Sequence, residues 1–165
     1  MAELTNLESK LGEVLGLAMA AQGATQKVMK LAEEEDASDL VSTLERMHRE
    51  AKETEERGTE VAGSLEGKKT AILEKARETK AEATEMMSTY LGDDADALDG
   101  FEFLTMAEAG EVGHWSIVET MARKAGNREV QDLATWVKPI QQRHFDDVMQ
   151  GSLELAQGED PNSTQ

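Results

Sequence analysis

Apolar residues recur at three- and four-residue steps along most of this chain, which is the spacing of a helix with one buried face. The first such stripe runs Leu4, Leu7, Leu11, Leu15, Ala18, Gln22, Thr25 and Met29 and predicts a helix over about 4–34. Gly12, Gly16 and Gly23 either weaken it locally or let another helix approach closely. An acidic turn follows, Glu33 to Asp39, with Asp36 or Ser38 as the expected N-cap of the next helix. That second helix, about 38–64, has the inner stripe Leu40, Leu44, Met47/His48, Ala51, Thr54, Gly58 and Val61. Its stretch Glu50 to Glu60 is mostly charged, the mark of a solvated face.

Gly63 and Gly67 predict a break, then a third helix over about 68–91 with Ile72, Ala76, Thr79, Ala83, Met86 and Tyr90 on one face. Its Ala/Glu/Lys/Thr composition, taken alone, also fits a disordered desiccation-type segment. Tyr90 and Leu91 at its end argue that it docks. After the loop Gly92-Asp93-Asp94 comes the most apolar helix, about 95–125, with Phe101, Leu104, Ala107, Val112, Trp115, Val118 and Ala122 inward. Gly126-Asn127 is its stop signal. The fifth helix, about 128–157, carries Val130, Leu133, Val137, Ile140, His144, Val148 and Leu155. Pro139 lies inside it and is expected to kink it or free the Thr135 carbonyl. The polar run from Gly158 to Gln165 reads as a loose tail, which leaves residues 1–157 as a single all-α domain.

Composition narrows the function classes. The 165 residues include no cysteine, so disulfides, zinc–thiolate sites and thiol catalysis are excluded. Two prolines and 4 % aromatics disfavour a β-sandwich or barrel. The net charge of −17 repels nucleic acid and anionic membranes and attracts cations or basic partners, and a salt-adapted proteome would also produce it. No apolar run approaches the ~20 residues of a membrane span. The start Met1-Ala2-Glu3-Leu4 lacks the basic and apolar regions of a signal peptide, so a cytoplasmic location is expected.

The three histidines carry the candidate chemistry. Each follows a carboxylate or amide by three residues: Glu45-x-x-His48, Glu111-x-x-His114 and Gln141-x-x-His144. Residues at i and i+3 share a helix face, so such pairs can hold one metal ion, or two between facing helices. His48 and His144 sit on apolar stripes, and Glu108 lies between Leu104 and Val112. A buried carboxylate needs a metal or a hydrogen-bonded partner. His114 beside Trp115 reads instead as an ordinary core or interface histidine, and Gln22 also fits a plain hydrogen bond across the core. The nine methionines read as core filler. No nucleophilic triad, phosphate loop or basic cluster is present.

The segment from Glu108 to Met149 resembles the second half of ferritin-like di-iron proteins. Rubrerythrins have Glu-x-x-Glu on the third core helix, a Gly-containing turn, then Glu-x-x-His on the fourth. Here Glu108-x-x-Glu111, Gly126 and Gln141-x-x-His144 stand at similar spacing. Glu45-x-x-His48 matches the second core helix, and Gln22 falls near the glutamate of the first. The resemblance implies a ferritin-like four-helix bundle of left-handed up-down packing plus a crossover third helix, as in the small YciF-type stress-response branch. It further implies iron or manganese held by Gln22, Glu45, His48, Glu108, Glu111, Gln141 and His144, with oxidase or ferroxidase chemistry.

Two departures stand against a full metal pair. Gln141 and Gln22 replace glutamates, which removes two negative charges. The remaining Glu45, His48, Glu108, Glu111 and His144 suit one ion, two held weakly, or none. The competing expectation is a metal-free bundle that is structural or binds a partner, with Gln141 hydrogen-bonded to Glu108 or Glu111. A homodimer is expected from the wide apolar region Phe101/Phe103/Trp115, joined by Phe145 and Trp136.

Overall fold

The computed structural model describes residues 2–164, and among these every regular element is a helix. The five are α1 (Asn6–Glu34), α2 (Ser38–Ser64), α3 (Lys69–Tyr90), α4 (Ala97–Ala125) and α5 (Arg128–Gly158). Local signals explain most of their ends. Thr5 and Glu8 form a capping box at the start of α1, and Asp96 with Asp99 does the same for α4. Gly126 closes α4 in the left-handed conformation (φ 68°), which glycine adopts without the strain a Cβ brings. Asn127 then turns outward and caps α5 through the Val130 amide.

The start of α2 departs from the expected cap. Ala37 precedes the helix and no side chain caps it. Asp36 takes a positive φ of 57° and serves the end of α1 instead. The Ala37 amide donates to the Ala32 carbonyl (3.0 Å) and the Asp36 amide to Glu33 (3.1 Å), the bond pattern of a Schellman stop. Pro139 lies within α5 on its exposed side, as does Thr135, whose carbonyl would otherwise accept from residue 139.

End-to-end contacts fix the helix directions. Lys68, just before α3, pairs with Glu8 at the start of α1 (3.5 Å) and bonds the Glu3 carbonyl. At the other end, the Ala97 amide that opens α4 donates to Glu35, just past α1 (2.9 Å). So α2 runs back along α1, α3 returns parallel to α1, and α4 starts from the end where α1 stops. Within the set α1, α2, α4 and α5, the neighbours α1/α2, α4/α5, α1/α4 and α2/α5 are all antiparallel.

The third helix lies outside that set, mainly on α1. Gly12 and Gly16 let it come close. A Cβ on Gly16 would stand 2.7 Å from the Thr79 Cβ and nearer still to the Ala76 carbonyl. Burial then fades along α3. Ala71, Ile72 and Ala76 are buried, Thr79 and Ala83 half-buried, and Met86 is 69 % exposed. The expected inner stripe therefore holds only over its first half, although Leu91 at its end is buried and Tyr90 leans on the Phe103 ring.

The core has two apolar halves. One joins Leu11, Leu15, Ile72, Trp115, Val130 and Val137; the other joins Val28, Leu44, Met47, Phe101, Leu104 and Val148. Between them, by position along α2, α4 and α5, lie the buried polar residues Thr54, Glu108, Glu111, Gln141 and His144, and Thr25 sits within the second half. The tail after α5 folds into a short turn around Asp160. None of the described helices is long and apolar enough to cross a membrane.

Candidate functional site: a polar centre and the cavity beside it

Glu108 and Glu111 face inward from one turn of α4, 1 % and 5 % exposed. From α5, also one turn apart, come Gln141 and His144, 5 % and 3 % exposed. The Gln141 amide nitrogen donates to Glu108 Oε2. The His144 ring stands between two carboxylates: Nε2 donates to Glu50 Oε2 (3.0 Å), and Nδ1 faces Glu108 Oε2 at 3.6 Å.

Glu50 is the residue that sequence reasoning missed. It accepts from Arg143 (2.6 Å) and Arg46 (3.2 Å) as well as from His144, and Arg46 also pairs with Asp147. Burial alone would raise the Glu50 pKa, but the bonds from Arg143 and His144 outweigh it and hold the carboxyl below 4.5. The signal was present in the sequence, because Met47, Glu50 and Thr54 follow the buried stripe of α2 at steps of three and four.

Glu45 is exposed and takes no part in this centre. It sits one residue past buried Leu44, so it rotates away from the core. His48 is half-buried beside α1, where Nδ1 donates to the Gln22 carbonyl (3.0 Å) and lies 3.3 Å from the Thr25 hydroxyl. The Gln22 amide donates to Glu55 and to the Ala18 carbonyl (3.3 Å). Gln22, His48 and Glu55 thus form a second group between α1 and α2, sharing no hydrogen bond with the first. Of the seven candidate residues, the structure joins Glu108, Glu111, Gln141 and His144 and leaves Gln22, Glu45 and His48 apart.

The donor chemistry does not fit a metal pair. Only Glu108, Glu111 and His144 offer carboxyl or imidazole donors here, too few for two ions, and His144, with Nε2–H on Glu50, keeps Nδ1 toward Glu108 at 3.6 Å, an arrangement that suits at most one. The Gln141 donor occupies an oxygen that a bridging metal would take. Among the described residues no three His, Asp or Glu side chains converge on one point as cation ligands.

Glu111 stands differently. Burial, and then the neighbouring Glu108, push its carboxyl well above 4.5, toward the neutral acid. No hydrogen bond engages it among the described residues. It lines a cavity of about 320 Å³ between α1, α3 and α4, walled mostly by Leu, Ala, Met and Phe side chains and open on one side. His114 is half-buried on the same wall.

Compared with known proteins, the chain matches no family model, no curated protein and no solved structure.

The aromatic region that prompted the dimer expectation is inside the protomer. Phe101 and Trp115 are fully buried and Phe103 is 8 % exposed. Arg57 covers the Trp136 ring at 3.9 Å. Phe101, Phe103 and Trp115 fill the core, Trp136 and Phe145 are half-buried, and among the described residues the large apolar ones left exposed are Met86, Tyr90, Met106, Ile117, Met149 and Leu153.

Proposed function

We propose that this chain is a ferritin-like bundle with a crossover third helix, in which a hydrogen-bonded polar centre stands in place of a metal pair, and that it works as a binding module. The bundle part of the reading is supported by the helix directions. Every neighbouring pair in the four-helix set is antiparallel, and α3 carries the chain back so that α2 and α4 run parallel. A role in stress response follows from the same resemblance. The reading is carried by one observation: the Gln141 amide donates into Glu108, so a protein side chain stands on an oxygen a metal would take, while Glu111 is left bordering the cavity.

Elemental analysis of protein purified without chelator, before and after incubation with iron(II) or manganese(II), tests the proposal. The expected metal content is far below one equivalent per chain. Stoichiometric iron or manganese would overturn it in favour of a second reading, a single metal ion held at Glu108 and His144 with oxidase chemistry. What favours that alternative is the closeness of two buried carboxyls, Glu108 and Glu111, on one helix turn.

A further inference from the structure

The cavity between α1, α3 and α4 is built like a ligand site. Its volume, about 320 Å³, lies at the small end of the range for ligand pockets. At roughly 30 Å³ per non-hydrogen atom, the packing of liquid water, it holds on the order of ten such atoms. Leu17, Ala24, Met87, Phe103 and Leu104 make most of it apolar. Its polar lining is Thr84, Glu108, Glu111 and His114. Glu108 is engaged by Gln141, whereas the Glu111 carboxyl, 5 % exposed, has no hydrogen-bond partner among the described residues and borders the empty space. Among the described residues the one fully buried side-chain polar atom without a partner is Trp115 Nε1, so the Glu111 oxygens are not sealed off but reach the cavity space, where a ligand can approach them. Met86 and Met106 flank the opening, 69 % and 53 % exposed. Flexible thioethers of this kind accommodate apolar chains of varied shape.

Charge decides the class of ligand. Two carboxyls, one imidazole (His114) and no lysine or arginine line the cavity, in a chain of net charge −17. An anionic head is repelled, a neutral head gains only a plain hydrogen bond, and an ammonium head gains a charge-assisted one by drawing the shared acidic site to its ionised form. We propose that this cavity binds a small amphipathic amine, its alkyl body among Leu17, Ala24, Met87 and Phe103 and its ammonium head on Glu111. The inference rests on the binding-module reading and names that module's ligand.

Calorimetric titration of the full chain with n-octylamine, n-octanol and sodium octanoate, in salt high enough to screen the acidic surface, is the test. One octylamine per chain is expected, with octanol about tenfold weaker or more, since it lacks the charge-assisted bond. Octanoate should not bind. Glu111→Gln should weaken octylamine by about tenfold and leave octanol nearly unchanged. Gly110→Leu should weaken both, because residue 110 borders the cavity and a larger side chain there narrows it. Octanoate binding as tightly as octylamine overturns the proposal. So does octylamine uptake that does not saturate, or that neither variant changes. A failure here leaves the metal analysis untouched, so the absence of an amine ligand and the presence of a metal are separate results.

Discussion

Gln141→Glu exchanges an amide for a carboxyl at nearly constant volume, so packing is held fixed while the chemistry of the centre changes. Gln141 is 5 % exposed and donates to Glu108, which is 1 % exposed. Losing a hydrogen bond to a charged acceptor costs about 1.5–3 kcal/mol. Two carboxylates roughly 3 Å apart at an effective dielectric of about 20 would repel by roughly 5 kcal/mol more, a burden the folded chain escapes by keeping one proton between them. That proton adds its own dependence on pH. The folded chain then binds a proton that the unfolded chain releases above the ordinary carboxyl range, so stability falls as pH rises.

The combined loss should be about 2–5 kcal/mol near pH 8 and visibly smaller near pH 5. At a urea slope of about 2 kcal/mol per molar, this lowers the midpoint by roughly 1–2.5 M. Circular dichroism through a urea series at both pH values is the assay, repeated with manganese(II). If the variant has regained a cation site, the metal restores part of the deficit. A midpoint that matches the unaltered chain at both pH values would refute the Gln141–Glu108 bond and the reasoning built on it.

Three further outcomes follow from the same geometry. Burial and Glu108 raise the Glu111 pKa, so the folded chain is the tighter proton binder. Its contribution is full below about 4.5 and is lost as pH rises; Glu111→Gln, fixed neutral, should flatten that decline in unfolding free energy, and an unchanged slope would count against it. Glu50 has the opposite sign. Its pKa is lowered in spite of burial, so its contribution is present above 4.5 and lost as pH falls; Glu50→Gln should lower stability by about 1.5–3 kcal/mol at neutral pH and remove that acid-side loss, as read from chemical denaturation. Gly16→Ala should destabilise, because overpacking against the α3 backbone costs about 1–3 kcal/mol and better helix propensity returns at most about 1; a raised thermal midpoint would mean that α3 does not pack where described.

The five helices were legible because each carries a 3.6-residue apolar period and most end on a residue with a local reason to stop, as Gly126 does. The boundary at Asp36 was misread because the same residue types favour a cap and a left-handed stop, and only the bonds to Ala32 and Glu33 separate the two. Within the centre, Glu108 and His144 were found by their places on apolar stripes, and Glu111 and Gln141 by standing three residues before a histidine. Pairing Glu45 with His48 by spacing alone placed both on one face without asking which way that face turns. Leu44 and Met47 are the buried residues there, so Glu45 faces solvent and His48 faces α1. The cavity left no sequence signal. It arises where α3, packed tightly at Gly12 and Gly16, loses burial toward Met86, a matter of how two helices diverge and not of which residues they contain.

The polar residues lying between two apolar halves also set the alignment of the helices. Leucine and alanine faces tolerate sliding, because one apolar contact replaces another at little loss. If α5 slipped by one turn against α4, about 5.4 Å, Gln141 would leave Glu108 and His144 would leave Glu50, stranding buried carboxyls against hydrocarbon. The centre thus acts as a vernier. It does little to hold the bundle together in gross energy, but among the registers its greasy surfaces permit it selects one, and with that register the shape of the space beside Glu111.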